Sequence, residues 1–310
     1  MPIQNKIAVV SRTFSQNPEL VKELQKHFVD VRFNPEKKLI GEAISEFIGD
    51  AEGTIVALEE VDGKVLDKCP NLKIVSKYGV GLNNLDLGAC KERNIAVGWT
   101  GGTNKLSVAE MALCFMIGLS RNLFQTSVRL KNGTWEKDGG AQLSGRTVGI
   151  IGVGHVGKEL ICLLKPFHCK ILVNDVIDQR DYYVAEGVTE VSKEELLAKS
   201  DFISLHVPLT SDTERMINKD TLKLVRSDAY IINTARGPLV NYADLKDALK
   251  TERIAGAAVD VYDEEPPKDK ELLALDNLIC TPHIGGNSKE AVISMGMAAI
   301  LHLKEYFASK

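Results

Sequence analysis

Short apolar runs alternate along this chain with longer segments in which apolar positions recur every three or four residues. The runs Ile7–Val10, Val29–Phe33, Thr54–Leu58, Lys73–Ser76 and Ile95–Trp99 predict strands, and Pro18–Phe28, Leu39–Ile48 and Leu85–Arg93 predict helices. A second series follows, with strands expected at Val148–Ile151, Ile171–Val173, Phe202–Val207, Tyr230–Asn233, Ala257–Val261 and Leu278–Thr281, and helices between them. A last helix starts near Ser288, its apolar positions Val292, Met295, Ala299, Leu303 and Tyr306 forming one stripe. Alternation of this kind predicts parallel sheets covered by helices on both faces.

Between the two series lies WTGGTNK, a glycine-rich break around Gly101-Gly102. Ser107-Val108-Ala109-Glu110 then reads as a capping box opening a helix. That helix, VAEMALCFMIGL, is apolar on nearly all sides, as a helix buried between domains or subunits would be. A homodimer through it is expected, with the segment around Gly133, Trp135 and Gly139-Gly140 crossing as a loop to that interface.

The stretch Thr147–Asp175 gives the second series its purpose. A buried-strand pattern, Val148-Gly149-Ile150-Ile151, runs into Gly152, Gly154 and Gly157, spaced G-x-G-x-x-G. The first glycine permits a tight turn, the second lets a pyrophosphate approach the backbone, and the third lets the helix pack close to the strand. The helix N-terminus offers unpaired N–H groups to the phosphates. The next apolar run ends at Asn174-Asp175, where a carboxylate can accept from ribose hydroxyls and would repel a 2′-phosphate, so NAD is expected over NADP. Arg180 is the nearest following cation that could offset it.

The expected fold class is therefore α/β with two doubly wound parallel-sheet domains. A Rossmann NAD-binding domain, residues 103–286, is inserted into a flavodoxin-like substrate-binding domain, residues 1–102 and 287–310. Linkers near Gly101-Gly102 and Gly285-Gly286 would let the two close over a cleft.

Composition changes this picture little. The chain has 310 residues, 44% hydrophobic and 26% charged, with a formal net charge of -4, which points to neither a nucleic-acid nor a membrane surface. No signal peptide or transmembrane-length segment is legible, and a cytoplasmic protein is expected. The six cysteines are dispersed without a C-x-x-C spacing. Buried reduced thiols, Cys114, Cys162 and Cys280 among them, are the expectation, with no metal site.

Three segments at the carboxyl ends of predicted strands hold the polar side chains that could do chemistry. They are Asn233-Thr234-Ala235-Arg236-Gly237, the run DVYDEEPP from Asp260 to Pro267, and Cys280-Thr281-Pro282-His283-Ile284-Gly285-Gly286. Taken singly, Arg236 reads as a surface cation, Glu265 as a solvated acid and His283 as a loop histidine. Together they supply what hydride transfer at a hydroxy acid requires. An arginine fork holds a carboxylate and polarises a ketone. A histidine exchanges the hydroxyl proton, and a glutamate beside it favours the imidazolium and fixes the ring.

With these residues in view the chain resembles the D-isomer-specific 2-hydroxyacid dehydrogenases, a group that includes D-3-phosphoglycerate, glycerate and hydroxypyruvate enzymes. The resemblance spans KYGVGLNNLD, LSVAEMAL, GVGHVGKEL, SLHVPLT, NTARGPLV, DVYDEEPP and TPHIGG, in family order and spacing. It implies Arg236, Glu265 and His283 as catalytic residues. It gives the substrate carboxylate to Gly79, Val80 and Gly81, with Lys77 beside them and Arg236 opposite. It also implies cofactor contacts from His155, Val156, Asp175, His206, Pro208, Thr213, Thr234, Ala235 and Asp260, together with Arg236, His283 and Gly285. His27, His168 and His302 match no motif position.

Two departures from the family pattern bear on substrate. Asn83 stands where an aspartate is common, and is expected to cap the next helix. Ala57-Leu58-Glu59-Glu60 stands where phosphoglycerate dehydrogenases resemble V-R-S and use the arginine toward phosphate; Lys77 or Arg32 would have to reach that pocket instead. The reading is thus an NAD-dependent D-2-hydroxyacid dehydrogenase acting on a small 2-hydroxy or 2-keto acid. The narrower alternative is D-3-phosphoglycerate dehydrogenase of serine biosynthesis. The alternative of another class is an NAD-sensing corepressor-like binding protein, which would be expected to add tails that a compact chain lacks. A formate dehydrogenase would carry glutamine where Glu265 stands.

Overall fold

The computed structural model describes residues 3–308, which divide into two compact units: residues up to Asn104 together with those from Asn287 onward, and Lys105–Gly286. The first unit begins with β1 (Ile7–Val9), α1 (Arg12–Ser15), α2 (Pro18–His27), β2 (Val31–Phe33) and α3 (Glu42–Ile48). It continues with β3 (Gly53–Val56), α4 (Gly63–Asp67), β4 (Ile74–Lys77), α5 (Leu87–Glu92) and β5 (Ala96–Gly98). Every strand pairs in parallel, in the order β2-β1-β3-β4-β5, the flavodoxin-like order. Side chains alternate across the sheet as the strand period demands. Ile7 and Val9 pack with Leu20 and Leu24 on one face, and Ala8 and Val10 with Ile44 and Ile48 on the other.

The second unit starts with α6 (Lys105–Ser120) and α7 (Leu123–Lys131), then β6 (Thr147–Ile151), α8 (His155–Leu164), β7 (Lys170–Asn174), α9 (Arg180–Glu186) and β8 (Thr189–Glu190). After these come α10 (Lys193–Lys199), β9 (Phe202–Leu205), α11 (Lys219–Leu222), β10 (Tyr230–Asn233) and α12 (Tyr242–Lys250). The unit ends with β11 (Gly256–Val259), α13 (Lys270–Leu273) and β12 (Leu278–Cys280). Its seven strands are parallel in the order β12-β11-β10-β9-β6-β7-β8. The chain moves outward from β6 through β7 to β8, then returns to place β9 on the other side of β6. That reversal is the switch point at which open α/β sheets bind ligands. The α/β class with two doubly wound parallel sheets is thus borne out.

The last helix, α14 (Lys289–Ala308), belongs to the first unit, where Met295, Ala299, Ile300 and Leu303 join the core around Leu20 and Ile55. Gly296 lies against the Leu20 side chain, where a Cβ would overlap it.

Three local expectations are corrected. α6 begins at Lys105, so Ser107 lies in its first turn and not at its cap; the hydroxyl donates to the Gly285 carbonyl at 2.6 Å. α5 is capped by Asp86, which accepts from Ala89 N at 2.8 Å, because the helix starts at Leu87, too far along for Asn83 to reach. Cys114 and Cys162 are exposed, and Cys280 is half-buried against the second unit's core; all six cysteines are unpaired. α6 itself is not buried all round: Ala109, Ala112, Phe115 and Met116 enter the second unit's core beside Leu160 and Ile161, while Leu106, Glu110 and Cys114 are exposed.

Candidate active site

The five loops that follow β6, β9, β10, β11 and β12 leave the same carboxyl edge of the second unit's sheet. Gly152 turns the chain out of β6 at φ +97°, and a Cβ there would lie 2.6 Å from the His206 carbonyl oxygen. A Cβ on Gly157 would overlap the Gly152 carbonyl. Both positions therefore exclude other residues on steric grounds. Gly154 differs: it caps α8 without a side-chain hydrogen bond, and a Cβ there would meet nothing within 4 Å. The N-terminus of α8 thus opens onto free space beside a bare backbone, a cradle suited to a pyrophosphate.

Asp175, directly after β7, already serves the glycine turn. One carboxylate oxygen accepts from Val153 N at 2.6 Å and the other from Ile177 N at 2.9 Å. A carboxylate has about four acceptor positions, so capacity for ribose hydroxyls remains. Arg180 turns elsewhere, toward Asp178 at 3.7 Å and Glu190 at 3.9 Å. After β9, His206 shares a 2.8 Å hydrogen bond with Ser204 Oγ, and burial pushes its pKa down to about 4, leaving it neutral. Thr213 Oγ1 closes its own loop, donating to Pro208 O at 2.7 Å.

The turn after β10 is built by Asn233, a fully buried residue without a role in the sequence reading. It accepts from Ala235 N at 3.1 Å and donates to Arg236 O at 2.8 Å. Inside that turn the Thr234 hydroxyl is buried with no hydrogen-bond partner. A buried orphan of this kind is costly unless a ligand satisfies it. Gly237 presses on the Tyr262 backbone so closely that a Cβ would overlap it, which brings the loops after β10 and β11 into contact. Arg236 donates to Ala235 O at 2.6 Å; burial lowers its pKa, and the neighbouring Glu265 charge works against that.

Glu265 accepts from Tyr262 N at 3.2 Å and reaches His283 Nδ1 at 2.8 Å. His283 sits at φ +55°, a left-handed conformation that costs a non-glycine residue about 1–2 kcal/mol. Asp260, 1% exposed, accepts from Thr281 Oγ1 at 2.6 Å, Ile284 N at 2.8 Å and Gly285 N at 2.7 Å. The sequence did not mark Tyr262, whose hydroxyl donates to Thr281 O at 2.9 Å. Among the described residues no group of three or more His, Cys, Asp or Glu side chains comes together as a metal site.

In the first unit, Gly79 adopts φ +139°, and Val80 O accepts from Trp99 Nε1 at 3.0 Å. The ammonium of Lys77 is drawn inward, 4% exposed, donating to Ala57 O and to Asn84 Oδ1. Glu59 accepts from Ala57 N at 2.6 Å, and Arg32 is tied to Phe47 O at 2.9 Å. Of the two cations considered for a phosphate, Lys77 reaches the start of the loop after β3 through Ala57 O, whereas Arg32 is held at Phe47.

A parallel sheet with a glycine turn at its switch point and a histidine–carboxylate pair on the same edge defines a dinucleotide-dependent dehydrogenase class. Residues 113–285 match the family described as "D-isomer specific 2-hydroxyacid dehydrogenase, NAD binding domain". The chain is similar to D-3-phosphoglycerate dehydrogenase of Methanocaldococcus jannaschii, 36% identical over 86% of this chain and 52% of that protein. It is also similar to a glyoxylate reductase of Thermococcus onnurineus, 33% identical over 89% of this chain and 85% of that one. A solved structure from Polaromonas, a "putative D-isomer specific 2-hydroxyacid dehydrogenase", superposes with a TM-score of 0.91 at 25% identity, covering 99% of this chain and 98% of that one. The chain belongs to the D-isomer-specific 2-hydroxyacid dehydrogenase family. It spans about half the length of the M. jannaschii phosphoglycerate dehydrogenase it matches.

Proposed function

We propose that this protein is an NAD-dependent oxidoreductase interconverting a D-2-hydroxy acid and its 2-keto acid. The observation that carries the reading is the Glu265–His283 pair, 2.8 Å apart on the carboxyl edge of the dinucleotide-type sheet, with Arg236 close enough for its charge to feel Glu265. NAD supplies the hydride acceptor or, reduced, the donor. Arg236 binds the substrate carboxylate and polarises the oxygen on C2. His283, its Nδ1 engaged by Glu265, uses Nε2 to take the hydroxyl proton in oxidation and to return it in reduction. Glu265 stabilises the imidazolium between those steps.

The cofactor is assigned to Gly152, Gly154, His155, Val156 and Gly157 around the phosphates and to Asp175 at the ribose. His206, Pro208, Thr213, Thr234, Ala235, Arg236, Asp260, His283 and Gly285 complete its contacts. The open cradle at Gly154 and the orphaned Thr234 hydroxyl support this assignment. On the first unit, Lys77, Gly79, Val80 and Gly81 are assigned to the substrate. The proposed division gives residues 103–286 the NAD and residues 1–102 with 287–310 the substrate. D-3-Phosphoglycerate is the narrower alternative, supported by 36% identity to enzymes of that name.

Reduction of glyoxylate, hydroxypyruvate and phosphohydroxypyruvate with NADH tests the reading. Turnover of at least one is expected; NADH binding without turnover of any would leave a binding protein in its place.

A homodimer through α6, the helix that holds Ser107, is part of the proposal, with α7 following it. α7 buries none of its residues, and Leu123, Phe124, Val128, Leu130 and Trp135 are exposed. Light scattering should give twice the 34.0 kDa chain mass. A cytoplasmic setting is supported by six unpaired cysteines.

A further inference from the structure

We propose that Asp260 is a positioning residue for His283, acting through the loop 281–285, and that Ser107 completes the same clamp from α6. The inference rests on the acid–base role given to His283. Asp260 follows β11, while His283 lies on the loop that follows β12, so the two residues belong to different strand ends. Bonds that flank His283 connect them. On one side of it, Thr281 Oγ1 donates to Asp260 Oδ1 at 2.6 Å; on the other, Ile284 N donates to the same oxygen at 2.8 Å. Gly285 N donates to Oδ2 at 2.7 Å, and Ser107 Oγ holds the opposite side of that residue through Gly285 O at 2.6 Å.

His283 is thus the outward bulge of a loop whose two feet stand on one carboxylate. The bulge needs this support, because His283 is held in the left-handed region at φ +55° and an untied loop would relax out of it. The chemistry of the clamp requires an aspartate. Three donors converge on it, and an ionised carboxylate is an acceptor only. Asparagine of the same shape can meet Thr281 and Ile284 with its oxygen, but then turns an NH₂ toward the Gly285 N–H. A Cβ on Gly285 would lie 2.8 Å from Oδ2, so that residue has no room to retreat around a side chain. The cofactor contact assigned to Asp260 uses the same group differently, and the two roles give opposite kinetic signatures.

The test is a double-mutant cycle on the full chain, with single-turnover and steady-state rates for a good 2-keto acid and NADH binding followed by fluorescence. Asp260→Asn should lower kcat at saturating NADH roughly 10- to 100-fold, as misplacement of a proton donor does, beyond whatever NADH affinity is lost with its assigned cofactor contact. In the His283→Ala background the same change should cost less than twofold further, since there is then no imidazole to misplace. Ser107→Ala should lower kcat by about three- to tenfold, and Ser107→Thr, which keeps the hydroxyl, should restore it. If Asp260→Asn folds poorly, seen as a lower Tm, the Ser107 pair in both backgrounds carries the comparison alone. Fully additive losses in the His283→Ala background would overturn the positioning role while leaving the acid–base reading in place. So would a tenfold loss of NADH affinity with kcat intact. A His283→Ala variant that turns over normally overturns both, and does so before the cycle is closed.

Discussion

Glu265 and His283, eighteen residues apart in sequence, meet with a carboxylate oxygen 2.8 Å from Nδ1. In the proposed mechanism the contact gives Nδ1 to Glu265 and assigns Nε2 to substrate. Glu265→Gln removes the negative charge beside the ring, and kcat for keto-acid reduction should fall with it. His283→Ala should reduce kcat by roughly 10²–10⁴. A Glu265→Gln variant with wild-type kcat would show that the carboxylate does not act through the ring.

Asp175 should set the cofactor preference. Its carboxylate faces the glycine turn through Val153 N and is not paired with Arg180. We expect kcat/KM for NADH to exceed that for NADPH at least tenfold, about 1.4 kcal/mol. Asp175→Ala should narrow the ratio and weaken NADH binding as well, because it also releases the Val153 amide. Equal use of both cofactors by the wild type would count against it.

Two glycines of one motif should fail differently. Gly154 has an ordinary φ of -81° and open space at its Cβ position. Gly154→Ala should therefore change stability by less than about 1 kcal/mol while abolishing NADH binding. In Gly157→Ala the new methyl overlaps the Gly152 carbonyl, and overpacking of this kind costs roughly 1–3 kcal/mol or more. Thermal denaturation and NADH titration separate the two; equal loss of Tm would refute the contrast.

His206 should make the second unit acid-sensitive. Burial lowers its pKa to about 4 from the ordinary histidine value of 6.5. Below pH 6.5 the unfolded chain takes up a proton that the folded one refuses, so stability falls as pH drops toward 4. The group contributes nothing to the pH dependence above that window. The difference is on the order of 3 kcal/mol. His206→Gln, which can keep a bond to Ser204, should flatten the decline in Tm between pH 6.5 and 4.

Legibility from sequence followed a physical divide. Gly152 and Gly157 could be read because backbone geometry forces the residue type, Gly154 because the spacing of the motif points to it, and strand runs such as Ile150-Ile151 because burial on both faces leaves them uniformly apolar. Several strands were drawn too long, as at Phe202–Val207, because the chain stays packed after the ladder ends at Leu205. β8, two exposed residues at the sheet edge, carried no pattern. α1 and α4, with 4 and 5 residues, were too short for a helical period to show. The site residues were named from motifs, but the bonds that orient them were not legible. Asp260 meets residues 21 to 25 positions away, and no spacing rule encodes such a contact. Ser107 was misread for the same reason: its partner lies 178 positions away, whereas a cap needs only local neighbours.

The Ser107–Gly285 bond lies close to where the second unit begins and close to where it stops. Its seven strands, complete by Cys280, form a continuous stretch of chain. The first unit is split, and Met295, Ala299, Ile300 and Leu303, which roof one face of its sheet, come after all of the other unit. On a ribosome the order of completion is therefore the reverse of the order of initiation. Residues near the amino terminus, among them Ile7, Val9 and Leu20, emerge early yet wait for α14 before that face is covered, while the inserted unit can close behind them. The early sheet would spend most of synthesis with one apolar side covered only in part, by α2, the interval in which a chaperone would have most to hold.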